Sequence, residues 1–197
     1  KLIFVTGGAR SGKSAFALSL ANSMGKRKCY LATAQALDSE MEDRIARHKA
    51  ERGPDWDNIE EPMQVAEKML EAKGRYDVII LDCLTLWVSN LMHELNTSDS
   101  LLLAPRLNQL ISACKTSSST IIIVSNEVGM GIVPDNPLAR RFRDIAGIAN
   151  QKVAAAADEK LPSSSDGGTN NGCAASSADA GAVTVTGVII TAAEPCN

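Results

Sequence analysis

Apolar residues gather in short blocks along this chain, and the blocks alternate between two periods. LIFVT, behind Lys1, has the continuous apolarity of a buried strand, and SAFALSLANSM (14–24) reads as a helix. KCYLATA (28–34) predicts a second strand. SEMEDRIARHKAERG (39–53) predicts a polar helix with an acidic start and a basic end, capped by Asp38 or Ser39 and stopped by Gly53-Pro54. PMQVAEKMLEAKG (62–74) places Val65 and Met69 on one helical face, and YDVIILDC (76–83) is a strand whose unbroken apolar centre marks a sheet covered on both sides. LTLWVSNLMHEL (84–95) and LLLAPRLNQLISACK (101–115) predict helices, the second interrupted or initiated near Pro105. STIIIVSN (119–126) is the fourth strand, and NPLARRFRDIAGIANQKVAAAADEK (136–160) a long helix. Strands alternating with helices predict an α/β fold with a mainly parallel sheet, in which ligands collect at the carboxyl ends of the strands.

The composition shifts at Leu161. PSSSDGGTNNGCAASSADAG offers almost nothing to bury and reads as a flexible loop, after which AVTVTGVIITAA alternates well enough for a fifth strand, with EPCN as a frayed tail. The expected organisation is one domain: residues 1–160 nucleotide-binding and catalytic, 161–181 a low-complexity loop insertion, 182–197 a final strand and tail. A chain of 197 residues suits that size.

The first strand and helix are joined by GGARSGKS (7–14), which has the P-loop spacing: Gly7, four free positions, then Gly12, Lys13 and Ser14. Glycines let successive N–H groups turn inward on an anion, and the helix start adds its positive dipole end. Lys13 brings a full charge, and Ser14 a hydroxyl suited to Mg²⁺. The spacing of Gly7, Gly8 and Gly12 does not give a dinucleotide fingerprint. Asp82 closes the strand VIILD, where a P-loop enzyme places the acid that holds Mg²⁺, though a strand-terminal Asp can also be a simple cap. SNEVGMGIVP (125–134) leaves the fourth strand at the same sheet edge. Its Asn126, Glu127, Gly129 and Gly131 predict a ligand-contacting loop. His48 shares a helical face with Met41 and Ile45, and that spacing alone reads as packing; His93 reads the same way.

Charge narrows the partners. With 20 basic and 23 acidic residues the net charge is -3, which gives no footprint for a nucleic acid or an anionic membrane. The local clusters GKRK and ARRFR read as solvated helix ends, and the second could also meet a phosphate. Cys29, Cys83, Cys114, Cys173 and Cys196 form no C-x-x-C pair and suggest neither zinc nor a disulfide framework, so a reducing, cytoplasmic setting is expected. No stretch approaches the roughly 18 apolar residues of a membrane span. Because the chain begins at Lys1, an initiator or short leader can precede it.

Together, VTGGARSGKS, HKAER, LDCLTLWVSNL, VSNEVGMGIVP and LARRFRDIAGIANQKVAAAAD, in order from residue 2 to about 158, closely resemble the bifunctional adenosylcobinamide kinase / adenosylcobinamide-phosphate guanylyltransferase family of cobalamin assembly. The resemblance implies a RecA-like P-loop NTPase fold and two reactions. ATP or GTP phosphorylates the aminopropanol hydroxyl of adenosylcobinamide. GMP then passes from GTP to that phosphate through a guanylylated histidine, giving adenosylcobinamide-GDP and pyrophosphate. The matching histidine is His48, and the resemblance thus gives it and Lys13 catalytic roles. Gly7, Gly8, Ala9, Arg10, Ser11, Gly12, Lys13, Ser14 and Asp82 would bind nucleotide, with Ser14 and Asp82 on the metal. It also implies nucleotide and corrinoid substrates and a homotrimer. Two features depart from the family pattern: the low-complexity stretch before the last strand, and Arg47 where a second histidine is common. Two other readings stay open, a different small-molecule P-loop kinase with a structural His48 and a RecA-type nucleotide-dependent binding module.

Overall fold

The computed structural model describes residues 1–35, 45–46, 49–50, 52–95 and 100–162, all within one compact unit, Lys1–Asp166. The strands are β1 (Leu2–Gly7), β2 (Lys28–Ala32), β3 (Trp56–Glu60), β4 (Val78–Asp82), β5 (Thr120–Asn126) and β6 (Glu159–Pro162). The helices are α1 (Lys13–Asn22), α2 (Val65–Glu71), α3 (Leu84–Glu94), α4 (Ser100–Thr116) and α5 (Pro137–Ala156). The strands form one sheet in the order β3-β2-β4-β5-β1-β6, and every pairing is parallel.

Alternation along the central strands divides the core. Leu2, Phe4, Ile79, Leu81, Ile121 and Ile123 point to the face covered by α2 to α5, where they meet Val65, Met69, Trp87, Leu110, Ile145 and Val153. Ile3, Val5, Val78, Ile80, Ile122 and Val124 point the other way, against Ala17 and Ala21 of α1 and against Tyr30 and Trp56. Burial on both faces explains why β4 and β5 read as continuous apolar runs. The parallel register sets Gly7 beside Asn126 and Ala32 beside Asp82, which brings four strand ends to one edge of the sheet.

The architecture matches the expected α/β fold, with three differences. β3 was not anticipated, because Trp56 is its one buried side chain and WDNIE is otherwise polar apart from the half-buried Ile59, as suits an edge strand. The long helix stops at Ala156, not Lys160. The Leu2 N–H donates to Asp158 Oδ2 at 2.7 Å and the Leu2 carbonyl accepts from the Asp158 N–H at 2.8 Å. Glu159–Pro162 then pairs with β1, so the open backbone edge of β1 outcompetes the helix propensity of the alanine run. Leu161 and Pro162 therefore belong to this strand, not to the loop insertion. Finally, α4 runs through Pro105 without a break. The remainder of the expected 161–181 loop, the 182–197 strand and the Asp38 or Ser39 cap lie outside the described residues. Of the expected 39–53 helix, Ile45, Ala46, Lys49, Ala50, Arg52 and Gly53 are described; the first five are helical, and Gly53, at φ 75°, is not.

Candidate active site

β1 ends at Gly7 and the chain turns at once into the loop that starts α1. Arg10 (φ 59°) and Gly12 (φ 78°) both take the left-handed conformation, which Gly12 adopts freely and Arg10 at a cost of about 1–3 kcal/mol. The Ser11 N–H donates to the Gly8 carbonyl at 3.3 Å and the Phe16 N–H to the Gly12 carbonyl at 2.9 Å. A β-carbon on Gly8 would meet no atom of the described residues within 4 Å, so their packing does not require a glycine there. The open space leaves the backbone there accessible to an anion. Lys13, 8% exposed, folds back so that its Nζ donates to the Gly8 carbonyl at 2.9 Å. Its charge thus sits inside the loop, where a phosphate would replace the carbonyl as partner.

Beside the loop lies a cavity of about 180 Å³ lined by Lys13, Ser14, Tyr30, Arg52, Asp82 and Asn126, among others. Tyr30 organises it. The ring stands edge-on to Trp56, with centroids 6.3 Å apart, and the Arg52 guanidinium lies 3.8 Å over it. Arg52 is held in turn by a 2.7 Å hydrogen bond from its Nε to Asn58 Oδ1. The Tyr30 hydroxyl donates to Asp82 Oδ2 at 2.5 Å. Burial first, and then the charge of Asp82, push the Tyr30 phenol far above the ordinary range, so it keeps its proton and remains a donor. One carboxylate oxygen of Asp82 is thereby oriented by the protein.

At Cys83, next along, burial and then the Asp82 charge raise the thiol to about 11, which disfavours the thiolate form. The Asp82–Cys83 peptide is cis. Thr33 Oγ1 donates to the Cys83 carbonyl at 2.8 Å and accepts from the Cys83 N–H at 2.9 Å, tying the end of β4 to the segment after β2.

The end of β5 is fixed by a closed ring of hydrogen bonds. The Asn126 N–H donates to Thr85 Oγ1 at 2.7 Å, and Thr85 Oγ1 lies 2.9 Å from Ser125 Oγ. Ser125 Oγ donates to Asn150 Oδ1 at 2.7 Å, and Asn150 Nδ2 returns to the Asn126 carbonyl at 3.2 Å. The Glu127 N–H donates to the Gly7 carbonyl at 2.9 Å, so this ring also steadies the start of the P-loop.

The structure brings the expected Gly7, Gly8, Ala9, Arg10, Ser11, Gly12, Lys13 and Ser14 together with Asp82 at one edge of the sheet. His48 lies outside the described residues. Tyr30 and Arg52 were missed as lining residues. Tyr30 carries no motif, and Arg52 stands seven positions after Ile45, two helical turns on the cavity side, a spacing that could have drawn it out. Among the described residues no cluster of three or more His, Cys, Asp or Glu could hold a metal. A single carboxylate with a hydroxyl nearby is instead the donor set of a hard cation shared with phosphate oxygens and water, which fits Mg²⁺.

A family model described as cobinamide kinase / cobinamide phosphate guanyltransferase matches residues 3–165. The bifunctional adenosylcobalamin biosynthesis protein of Salmonella typhimurium is 41% identical over 168 residues, covering 80% of this chain and 92% of that protein. The protein of the same description from Pseudomonas aeruginosa is 41% identical over 150 residues, covering 76% and 85%. Among solved structures, the flagellar accessory protein FlaH of Methanocaldococcus jannaschii aligns with a TM-score of 0.45 at 15% identity, covering 82% of this chain and 70% of that one. The RadB recombinase aligns at 0.43 and 16%, covering 71% and 70%. The match along nearly the whole described chain, with the P-loop and its facing carboxylate in place, shows that this chain belongs to the cobinamide kinase / cobinamide phosphate guanyltransferase family.

Proposed function

We propose that this chain phosphorylates the aminopropanol hydroxyl of adenosylcobinamide with ATP or GTP, and then moves GMP from GTP onto the new phosphate through His48. The observation that carries the proposal is the convergence of Lys13, Ser14 and Asp82 on one cavity that Ile45 and Arg52 also line. In the sequence, position 48 stands three residues after Ile45 and four before Arg52, the two residues that line the cavity from this segment.

In the kinase step the substrate hydroxyl oxygen attacks the γ-phosphorus. The bond to the β,γ-bridging oxygen breaks, the nucleoside diphosphate leaves, and the hydroxyl proton passes to solvent. Lys13 and the loop N–H groups meet the charge that builds on the phosphate oxygens. In the second reaction a neutral His48 nitrogen attacks the α-phosphorus of GTP and pyrophosphate leaves. A phosphate oxygen of adenosylcobinamide phosphate then attacks the nitrogen-bound GMP, freeing the imidazole and forming adenosylcobinamide-GDP. Ser14 and Asp82 would hold Mg²⁺, which supplies charge neutralisation to the phosphates. The Tyr30 hydroxyl orients Asp82 for that task.

The free Cys29, Cys83 and Cys114 suit a reducing compartment, and with the nucleotide substrates they support a cytoplasmic enzyme. Among the described residues no helix is long and apolar enough to cross a membrane. A homotrimer, implied by the sequence resemblance, belongs to the same reading and would appear as a threefold mass in light scattering.

His48→Ala tests the two-step scheme. It is expected to abolish GMP transfer while leaving most of the kinase rate. Equal loss of both activities in folded protein would point instead to a kinase with a structural His48. Hydrolysis stimulated by DNA would favour a RecA-type binding module.

A further inference from the structure

Large apolar side chains crowd one exposed stretch beyond β5. Met130 is 72% exposed, Ile132 96%, Val133 56% and Leu138 63%, half of the exposed large apolar residues among those described. A patch of this kind has a contact to make. The loop is not loose. The Gly129 N–H is held by Glu127 Oε1 at 2.7 Å, and Arg140 Nη1 donates to the carbonyls of Pro134 at 2.8 Å and Asp135 at 2.7 Å. Asn136 Oδ1 caps α5 by accepting from the Leu138 N–H at 2.8 Å. Both ends are tied down while the apolar side chains between them face water.

Location selects the occupant. Asn126, the last residue of β5, lines the cavity, and Glu127 is bonded to Gly7 of the P-loop. Ile132, six residues on, lies within about 22 Å of that point even if the chain were fully extended. The cavity of about 180 Å³ is smaller than the roughly 300–1,000 Å³ pockets that hold drug-sized ligands. A corrin macrocycle is larger than those ligands, so it must stay outside and send only its hydroxyl-bearing arm to the phosphates. Its rim bears methyl groups and neutral amide arms, which fit aliphatic and thioether side chains without a charge cluster. Met130 adds an adaptable contact.

We infer that the 127–138 segment is the platform on which the corrin ring of the substrate rests, with Ile132 and Met130 as its principal contacts. This rests on the kinase and guanylyltransferase reading above. A second copy of the chain is the competing occupant, and the test separates the two.

Ile132→Asp and the conservative Ile132→Val are compared with the unaltered chain. Equilibrium dialysis followed by corrin absorbance gives adenosylcobinamide affinity, a fluorescent GTP analogue gives nucleotide affinity, and light scattering gives mass. The platform predicts at least a tenfold weaker corrinoid affinity for Ile132→Asp and less than threefold for Ile132→Val, with nucleotide affinity and mass unchanged. In turnover, KM for the corrinoid should rise while kcat is kept. Unchanged corrinoid affinity in Ile132→Asp overturns the inference, and so does any fall in mass, which would make the patch an interface between copies. An unaltered chain that binds no adenosylcobinamide overturns the functional reading, and the platform with it.

Discussion

Replacing Asn150 with Leu removes one member of the hydrogen-bonded ring at the end of β5 while keeping its branched shape. Asn150 is 8% exposed and Ser125 fully buried, so water cannot substitute for the lost partner at either position. The change takes a partner from two groups: the Asn126 carbonyl loses its Asn150 Nδ2 donor, and the Ser125 hydroxyl loses its acceptor Asn150 Oδ1 and keeps its 2.9 Å contact with Thr85 Oγ1. The carbonyl keeps only a 3.4 Å contact from Thr85 Oγ1. Each buried group left short of a partner costs about 1–3 kcal/mol, and the extra apolar burial of Leu returns about 1 kcal/mol, leaving about 1–5 kcal/mol of destabilisation. For a chain of this size that is a fall in Tm of roughly 2–20 °C. Thermal and urea denaturation of Asn150→Leu, Ser125→Ala and the double variant would measure it. The ring also predicts a double variant less destabilised than the sum of the singles, because both changes break the same bond. A loss below about 0.5 kcal/mol, or strict additivity, would refute the idea that the ring acts as a unit.

Lys13→Ala should depress kinase and guanylyltransferase rates together, by about a hundredfold or more, since both reactions build charge on the same phosphates; steady-state assays of each would show it. The Asp77 carboxyl is held near 2, first by the Arg27 backbone N–H and then by the Arg27 side chain. Its contribution to stability is therefore present above the ordinary carboxylate pKa of about 3.9 and lost as pH falls towards 2, and Asp77→Asn should flatten the acid limb of a denaturation curve in that window. Gly25→Ala should destabilise the same corner, because its β-carbon would fall 2.4 Å from Asp77 Cβ; a Tm equal to that of the parent would show that the turn shifts freely.

The parts of the fold that were legible in the sequence are those where burial forces a regular pattern. LIFVT, VIILD and IIIVSN read as strands covered on both sides, and GGARSGKS between the first of them and a helix marked the loop whose Lys13 and Ser14 line the cavity. β3 was hidden because an edge strand needs only one buried residue, and WDNIE spends the rest of its length on polar side chains. β6 was hidden because four alanines favour continuing the helix, and the Asp158–Leu2 pairing that stops it joins residues 156 positions apart. The stack of Arg52 on Tyr30, and the Tyr30 hydroxyl on Asp82, come from three separate elements that only the folded sheet brings together. The glycines of the loop after β5 and its place at the sheet edge could be read from the sequence. Its internal clamps could not, because they depend on Arg140 folding back from α5.

The proposed carrier of GMP is a ring nitrogen of His48. GTP labelled at the α-phosphate, mixed with the protein, denatured at neutral or alkaline pH and digested to peptides, tests this most directly. An acid-labile, hydroxylamine-resistant label on the peptide holding His48, absent when the label is on the γ-phosphate, is the predicted result. Folded, nucleotide-binding protein that retains no label, or retains it on another residue, would contradict the account.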